Sequence, residues 1–338
     1  MKAIQVLEPG NIQIIDRAIP QIENDDEVLV KVKYAGICGS DMHIYHGTSP
    51  VATYPRVIGH EFVGEIVETG KSVRNLKAGD KVVIEPIYYC GECYPCRMGR
   101  PNVCEKLEVL GVHRDGGFQE YVTVKAANAH KFAEHLRWDE AVLIEPFTIA
   151  CQATWRGDVR KGDYVFIQGA GPIGLAILQY AKYRGGICIV SDVVESKLAE
   201  AKNLGADYTV NVLKQDIASE IKRITGGMGA NVTIDAACTP KTFETAVNVT
   251  SPAGRVVVMG FDVAPSQIPQ FMITKGELTI CGSRLQTNKF PEVIELFNQR
   301  KLKPTVLVSH KMHFTQIKEA IRIAEEKTER VSKILLEF

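Results

Sequence analysis

This chain of 338 residues is defined first by what it lacks. It has no excess charge: 40 Lys and Arg balance 40 Asp and Glu, and no dense basic block stands out. A nucleic-acid-binding surface is therefore not expected. It has no long hydrophobic run. The most apolar window, VFIQGAGPIGLAILQYA, is interrupted by Gln, Pro and Gly and is too short to span a bilayer comfortably. The opening MKAIQVLEPG lacks the apolar core of a secretory signal, so a cytoplasmic protein without membrane contact is expected. There are no repeats or low-complexity tracts, which excludes solenoids and fibrous architectures. Nor do its nine cysteines form a disulfide framework. Their count is odd, and five of them, Cys38, Cys151, Cys188, Cys238 and Cys281, are scattered. Reduced thiols, some binding metal, fit better.

What remains is ordinary globular composition, 45% hydrophobic and 24% charged. The length exceeds what one core usually fills, so two domains are expected. Up to about residue 146 the chain reads as strand-rich: EVLVKVKYAGI, RVIGHEFVGEIVETG and DKVVIEP are short or alternating apolar runs punctuated by Gly and Pro. From about residue 160 the strand-like segments YVFIQG, ICIVSD, DYTVNV, NVTIDAA, GRVVVMG and ELTICGS follow one another, most of them separated by helical stretches. That rhythm predicts an α/β protein with a doubly wound parallel sheet. After about residue 287 come a helix in NKFPEVIELFNQRK, a strand in TVLVSH, a helix in FTQIKEAIRIAEE and a strand in SKILLEF.

Gly169-Ala170-Gly171-Pro172-Ile173-Gly174 matches G-x-G-x-x-G. Alone the pattern is weak, but here it closes a strand and opens a helix. The glycines suit a tight turn, close approach to a pyrophosphate and close helix packing, with the helix N-terminus facing the phosphates. Asp192 ends the next strand, where a carboxylate accepts hydrogen bonds from ribose hydroxyls and repels a 2′-phosphate. NAD is favoured over NADP, although Lys197 lies close enough to the ribose region to temper the preference.

Cys90, Cys93, Cys96 and Cys104 lie within CGECYPCRMGRPNVC. Four thiolates at this spacing suit one tetrahedral Zn²⁺ with no open position, a structural site. A redox CxxC pair or an iron–sulfur cluster are the alternatives. A working metal needs other ligands, and Cys38, His60, Glu61 and Glu145 offer a thiolate, an imidazole and carboxylates. Spacing alone does not bring these four together. Each also reads as an ordinary buried residue or, for Glu145, a helix-start acid before Pro146.

In combination, GHE followed by VG, the four-cysteine lobe, GICGSDMH, IEP and GAGPIG with its downstream Asp resemble the zinc-dependent medium-chain alcohol/polyol dehydrogenase family. The similarity runs over essentially the whole chain. Glu145, where alcohol dehydrogenases of the family carry cysteine, looks like the polyol (sorbitol-type) branch. YPRVIGHE, LGVHRDGGFQEY, IEPFTIA and GAGPIGL resemble bacterial sugar-acid dehydrogenases, including L-gulonate and L-galactonate 5-dehydrogenases and starvation-sensing oxidoreductases. The resemblance implies a GroES-like catalytic domain over 1–146, completed by 288–338, and a Rossmann NAD-binding domain over 147–287. It implies homodimers or homotetramers built partly through ELTICGS. It also implies NAD and two zinc ions per chain. Cys38, His60 and Glu145 match the catalytic zinc positions, with Glu61 a ligand or a neighbour of the metal. Asp41 matches the acid that orients the histidine, and Ser40 and His43 match the proton relay.

The expected reaction is oxidation of a secondary alcohol of a sugar acid, L-gulonate or L-galactonate at C5, to a keto acid. A neutral polyol such as sorbitol is the alternative substrate. A zinc-free enone reductase and a non-catalytic NAD(H)-binding regulator are the rival classes. Arg114, Arg284 and Lys289 are candidate cations for the carboxylate, and His113, Tyr45 and His46 are candidate hydroxyl partners.

Overall fold

Alternation in EVLVKVKYAG drives Val28, Val30 and Val32 into a core shared with Phe62, Ile66, Ile84 and Phe118. This computed structural model describes residues 1–326 and 331–338. The chain forms two compact units, Met1–Glu145 with Phe290–Phe338, and Pro146–Lys289.

In the first unit, the strand Glu27–Gly36 is central to a seven-stranded sheet. It pairs antiparallel with Glu61–Thr69, and the register sets Gly36 opposite Glu61. On its other side it pairs with Lys333–Glu337, where Gly36 faces Leu335. A short helix, Gly39–Tyr45, follows the central strand directly. Residues from three distant stretches therefore meet at one end of one strand.

The second unit carries six parallel strands in the order Tyr208–Asn211, Ile187–Asp192, Tyr164–Gln168, Ala230–Asp235, Thr250–Val258, Thr279–Gly282. The order reverses direction beside Tyr164–Gln168, the switch point where open α/β sheets bind ligands. The helix Pro172–Tyr183 starts immediately beyond that strand.

The local structure departs from the sequence reading in three places. A helix, Gln270–Gly276, precedes the last parallel strand, in a segment too short to show a helical period. TVLVSH begins as the 3₁₀ turn Pro304–Leu307 and becomes a strand only at Val308, because Pro304 has no N–H to offer a ladder. The helix within NKFPEVIELFNQRK is confined to Phe290–Asn298. Asn288 before it and Arg300 after it have positive φ, which a right-handed helix does not admit.

A buried carboxylate, Asp139, met by two exposed cations ties the two segments of the first unit together. Asp139 accepts hydrogen bonds from Arg137 Nε at 3.0 Å and Nη2 at 3.2 Å, and from Lys311. Burial pushes its carboxyl up, but these donors and their charges outweigh it and hold the pKa below the ordinary value. A depressed carboxylate stabilises the fold above its unfolded pKa, near 4, and loses that contribution as pH falls through the folded value. Asp139→Asn is expected to cost about 1–2 kcal/mol at pH 7. In urea titrations the difference from wild type should shrink below about pH 4. A gap that persisted in acid would mean the pair acts through packing alone.

Candidate active site

The glycine-rich turn is built as its sequence requires. Gly169 has φ +96°, and a Cβ on Gly174 would stand 1.9 Å from the Gly169 carbonyl oxygen. A Cβ on Gly171 would meet nothing within 4 Å, which leaves room for a phosphate at the N-terminus of Pro172–Tyr183. Pro172 and Ile173 are half-buried in the first turn of that helix. Asp192 Oδ2 accepts from Ala170 N at 2.7 Å, and Oδ1 accepts from Val193 N at 2.8 Å and Val194 N at 3.0 Å. The carboxylate is thereby locked against the turn. Lys197 is half-buried one turn further on.

The cysteine quartet is closed. The sulfurs of Cys93 and Cys96 lie 3.4 Å apart, Cys90 and Cys104 3.5 Å, and Cys93 and Cys104 3.7 Å. All nine cysteines of the chain are free thiols. A tetrahedron with 2.3 Å zinc–sulfur arms has edges of about 3.8 Å, so the four sulfurs stand nearly where one Zn²⁺ would place them. Backbone N–H groups of Cys93 and Lys106 point at Cys90 and Cys104 sulfur, the donors thiolates need. Crowding divides the thiols. N–H donation from Glu105 and Cys96 lowers Cys93 to about 6, whereas burial and Cys93 push Cys96 up to about 12. Four like charges at this distance ionise together only around a cation.

The second cluster is open. The ligand atoms of Cys38, His60 and Glu61 all lie within 4.8 Å of one another. Asp41, in the helix that follows Cys38, organises them. Its Oδ2 accepts from Cys38 N at 2.8 Å, its Oδ1 accepts from Gly59 N at 3.2 Å, and Oδ1 lies 3.6 Å from His60 Nδ1. That ring nitrogen is buried without a hydrogen bond, so Asp41 sets the ring by charge. The other ring nitrogen, Nε2, faces Ser40 Oγ at 3.5 Å. Burial alone would lower the His60 pKa, but the charges of Cys38 and Asp41 outweigh it and raise it well above the usual value. A thiol, an imidazole and a carboxylate are zinc donors.

Glu145 lies outside that trio of ligand atoms but within its field. Its carboxyl is buried, which raises its pKa to about 7. Glu61 and Asp41 push it the same way, against the pull of His60 and Lys333. Ser40 and His43 are exposed, three residues apart on one helix, and His43 Nδ1 is 2.9 Å from Thr48 Oγ1.

Sequence reasoning missed Lys333. Its side chain is 5% exposed, and its Nζ donates to both Glu61 oxygens at 2.7 Å. Its neighbours Ile334, Leu335 and Leu336 are all buried, so SKILLEF shows no alternation that would flag an inward lysine. Several of the substrate-contact candidates are otherwise engaged. Arg114 pairs with Glu108 at 3.4 Å and stacks over Tyr88, and Lys289 sits over the Trp155 ring. His46 Nε2 is 3.3 Å from Glu325.

Among the described residues no helix is long and apolar enough to cross a membrane. Residues 24–134 match the Alcohol dehydrogenase GroES-like domain family, and residues 172–299 match the Zinc-binding dehydrogenase family. The chain is 45% identical over 340 residues to Starvation-sensing protein RspB of Escherichia coli K12, covering 100% of this chain and 99% of the relative. It is 35% identical to L-galactonate-5-dehydrogenase of the same organism, covering 94% of each. A crystal structure of an RspB alcohol dehydrogenase from E. coli CFT073 with NADH superposes with a TM-score of 0.95 at 44% identity, covering 100% of this chain and 99% of that one. With a GroES-like unit, a dinucleotide-binding unit and whole-length relatives in hand, the chain belongs to the zinc-binding medium-chain alcohol dehydrogenase family, oxidoreductases that act on CH–OH groups with zinc and a nicotinamide dinucleotide.

Proposed function

We propose that this enzyme oxidises a secondary alcohol of a sugar acid, L-gulonate or L-galactonate at C5, to the keto acid, with NAD as acceptor. The observation that carries the chemistry is the open cluster, a thiol, an imidazole and a carboxylate held together beside an exposed hydroxyl. Cys38, His60 and Glu145 are assigned as zinc ligands, and Glu61 as the carboxylate beside them. Bound there, zinc supplies Lewis acidity toward a hydroxyl, and NAD supplies the hydride acceptor.

The chain's own groups do the rest. Asp41 holds the His60 ring, which fixes the direction in which the imidazole presents its free nitrogen. Ser40 Oγ accepts the substrate's hydroxyl proton as it gives up its own, which His43, on the same helical face, passes to water. Asp192, already fixed by three N–H groups, meets the ribose and disfavours a 2′-phosphate. Cys90, Cys93, Cys96 and Cys104 hold the structural zinc and take no part in turnover. The sugar acid is favoured by the likeness to a protein named for L-galactonate. The edge strand Thr279–Gly282, paired on one side only, is the proposed seam of a homodimer or homotetramer.

The test is nicotinamide reduction across C6 aldonates and alditols, each with NAD and with NADP. Reduction is expected with an aldonate and NAD, at a kcat/KM at least tenfold above that for any alditol. Faster reduction with sorbitol would replace the sugar acid by a neutral polyol. No reduction by any member of the panel, with zinc bound, would favour the regulator.

A further inference from the structure

We infer that Lys333 is a positioning residue of the metal centre, an internal cation that competes with the metal for Glu61 and so keeps one coordination position free for substrate. This rests on the reading of Cys38 and His60 as metal ligands.

Three independent features point the same way. Lys333 spends all its donors locally, on both Glu61 oxygens at 2.7 Å and on the Ile37 carbonyl at 3.2 Å. A lysine this buried is costly unless each donor is met and the charge is opposed. Its placement is enforced by the backbone. Ile37 N donates to Ile334 O at 2.9 Å, which extends the strand pairing up to Cys38. A register irregularity at Ser309 lets that hydroxyl accept from Ser332 N at 2.9 Å and donate to Lys333 O at 3.2 Å.

The third feature is Gly36. A Cβ there would stand 2.3 Å from Glu61 Oε2, closer than real contacts allow. The Glu61 side chain therefore crosses directly over residue 36, and the missing side chain leaves it a passage to Lys333.

The charges explain why such a device is useful. A bound dication would draw Cys38, Glu61 and Glu145 into their anionic forms, three negative charges in one region, while Asp41 accepts separately from two N–H groups. A dication alone leaves the three in excess, whereas a dication with Lys333 balances them. Without Lys333, Glu61 is a buried carboxylate within reach of the metal that has lost the lysine it is ion-paired to. It would then close on the metal, and a fourth protein ligand makes a site of the closed kind that serves structure.

The experiment measures zinc release to a chromophoric chelator, together with the visible spectrum of the cobalt-substituted enzyme. Wild-type protein is first shown to hold two zinc ions per chain. A single zinc there would refute the metal reading itself, separately from this inference. Lys333→Met is expected to release the second zinc about tenfold more slowly, the scale on which outer partners act on metal affinity. Its cobalt spectrum should shift toward higher coordination, and kcat should fall. Lys333→Met with Glu61→Gln removes both charges and should restore the wild-type release rate. Gly36→Ala, which keeps the lysine but blocks the passage, should resemble Lys333→Met. If all three variants release zinc at the wild-type rate, or if the double variant matches Lys333→Met, the inference is overturned. If Lys333→Met does not fold, the release rate of Gly36→Ala decides alone.

Discussion

Cys38→Ala is expected to abolish turnover while the protein stays folded. Cys38 stands where the central strand ends and the helix Gly39–Tyr45 begins, within ligand distance of His60 and Glu61. Removing its sulfur takes the one soft, anionic donor from the cluster and leaves an imidazole and carboxylates. Lewis-acid stabilisation of developing charge is worth several kcal/mol. At 1.36 kcal/mol per decade its loss means roughly a 10³-fold fall in kcat or more. The thiol is half-buried at the rim of the core, so thermal unfolding should shift little. The checks are zinc content, which should fall from two per chain to one, and kcat on the best substrate from the panel. A protein that keeps both zincs and its turnover would exclude Cys38 as a ligand.

Cys93→Ala should do the opposite. The segment Cys90–Cys104 contains one four-residue helix, Tyr94–Arg97, and a 3₁₀ turn, Pro101–Val103, and within those two short elements only Pro101 and Asn102 are buried. With so little core, this lobe depends on its sulfurs and the metal they fit. Metal binding in such lobes is folding free energy, so the variant should melt on the order of 10 °C lower and be cut readily by protease within the lobe. Per-molecule kcat of the surviving folded fraction should stay within a few-fold of wild type. If Cys93→Ala kills catalysis in a stable protein and Cys38→Ala does not, the two metal assignments are reversed.

The sequence showed most clearly what is local. The alternation of apolar strands with helices predicts the parallel sheet, because each strand and its helix lie within about thirty residues of each other. The glycine turn could be read from six adjacent residues and the cysteine quartet from fifteen. The open cluster could not be read this way. Cys38 meets His60 only because Gly36 is registered against Glu61, a fact of strand pairing that periodicity does not encode. Lys333 was hidden more deeply, since it sits in a run buried on every side and its partner is 272 residues away. Residue 36 carried a faint signal, a glycine closing a mostly bulky strand, which often marks another group passing close to the backbone. The helix Gln270–Gly276 was missed because seven residues complete barely two turns.

The distance between Glu61 and Lys333 also bears on how the molecule comes to be built. Pro146–Lys289 is one uninterrupted stretch in which every strand pairing but Tyr164–Gln168 with Ala230–Asp235 joins strands consecutive in sequence, so it depends on no strand from outside itself. The strand Glu27–Gly36 finds partners on both sides of its first half within the N-terminal segment, but its last residues, Tyr34–Gly36, cannot gain their second partner until Lys333–Glu337 arrives from across that whole stretch. Closure entropy grows only logarithmically, about 0.6 kcal/mol per doubling of the intervening length. The architecture therefore tolerates a large insert thermodynamically, but its non-local pairing is slow. The nucleotide-binding half can mature early, while the catalytic half stays unfinished, its cysteine and glutamate not yet joined by their lysine, until the last seam of the sheet is sewn.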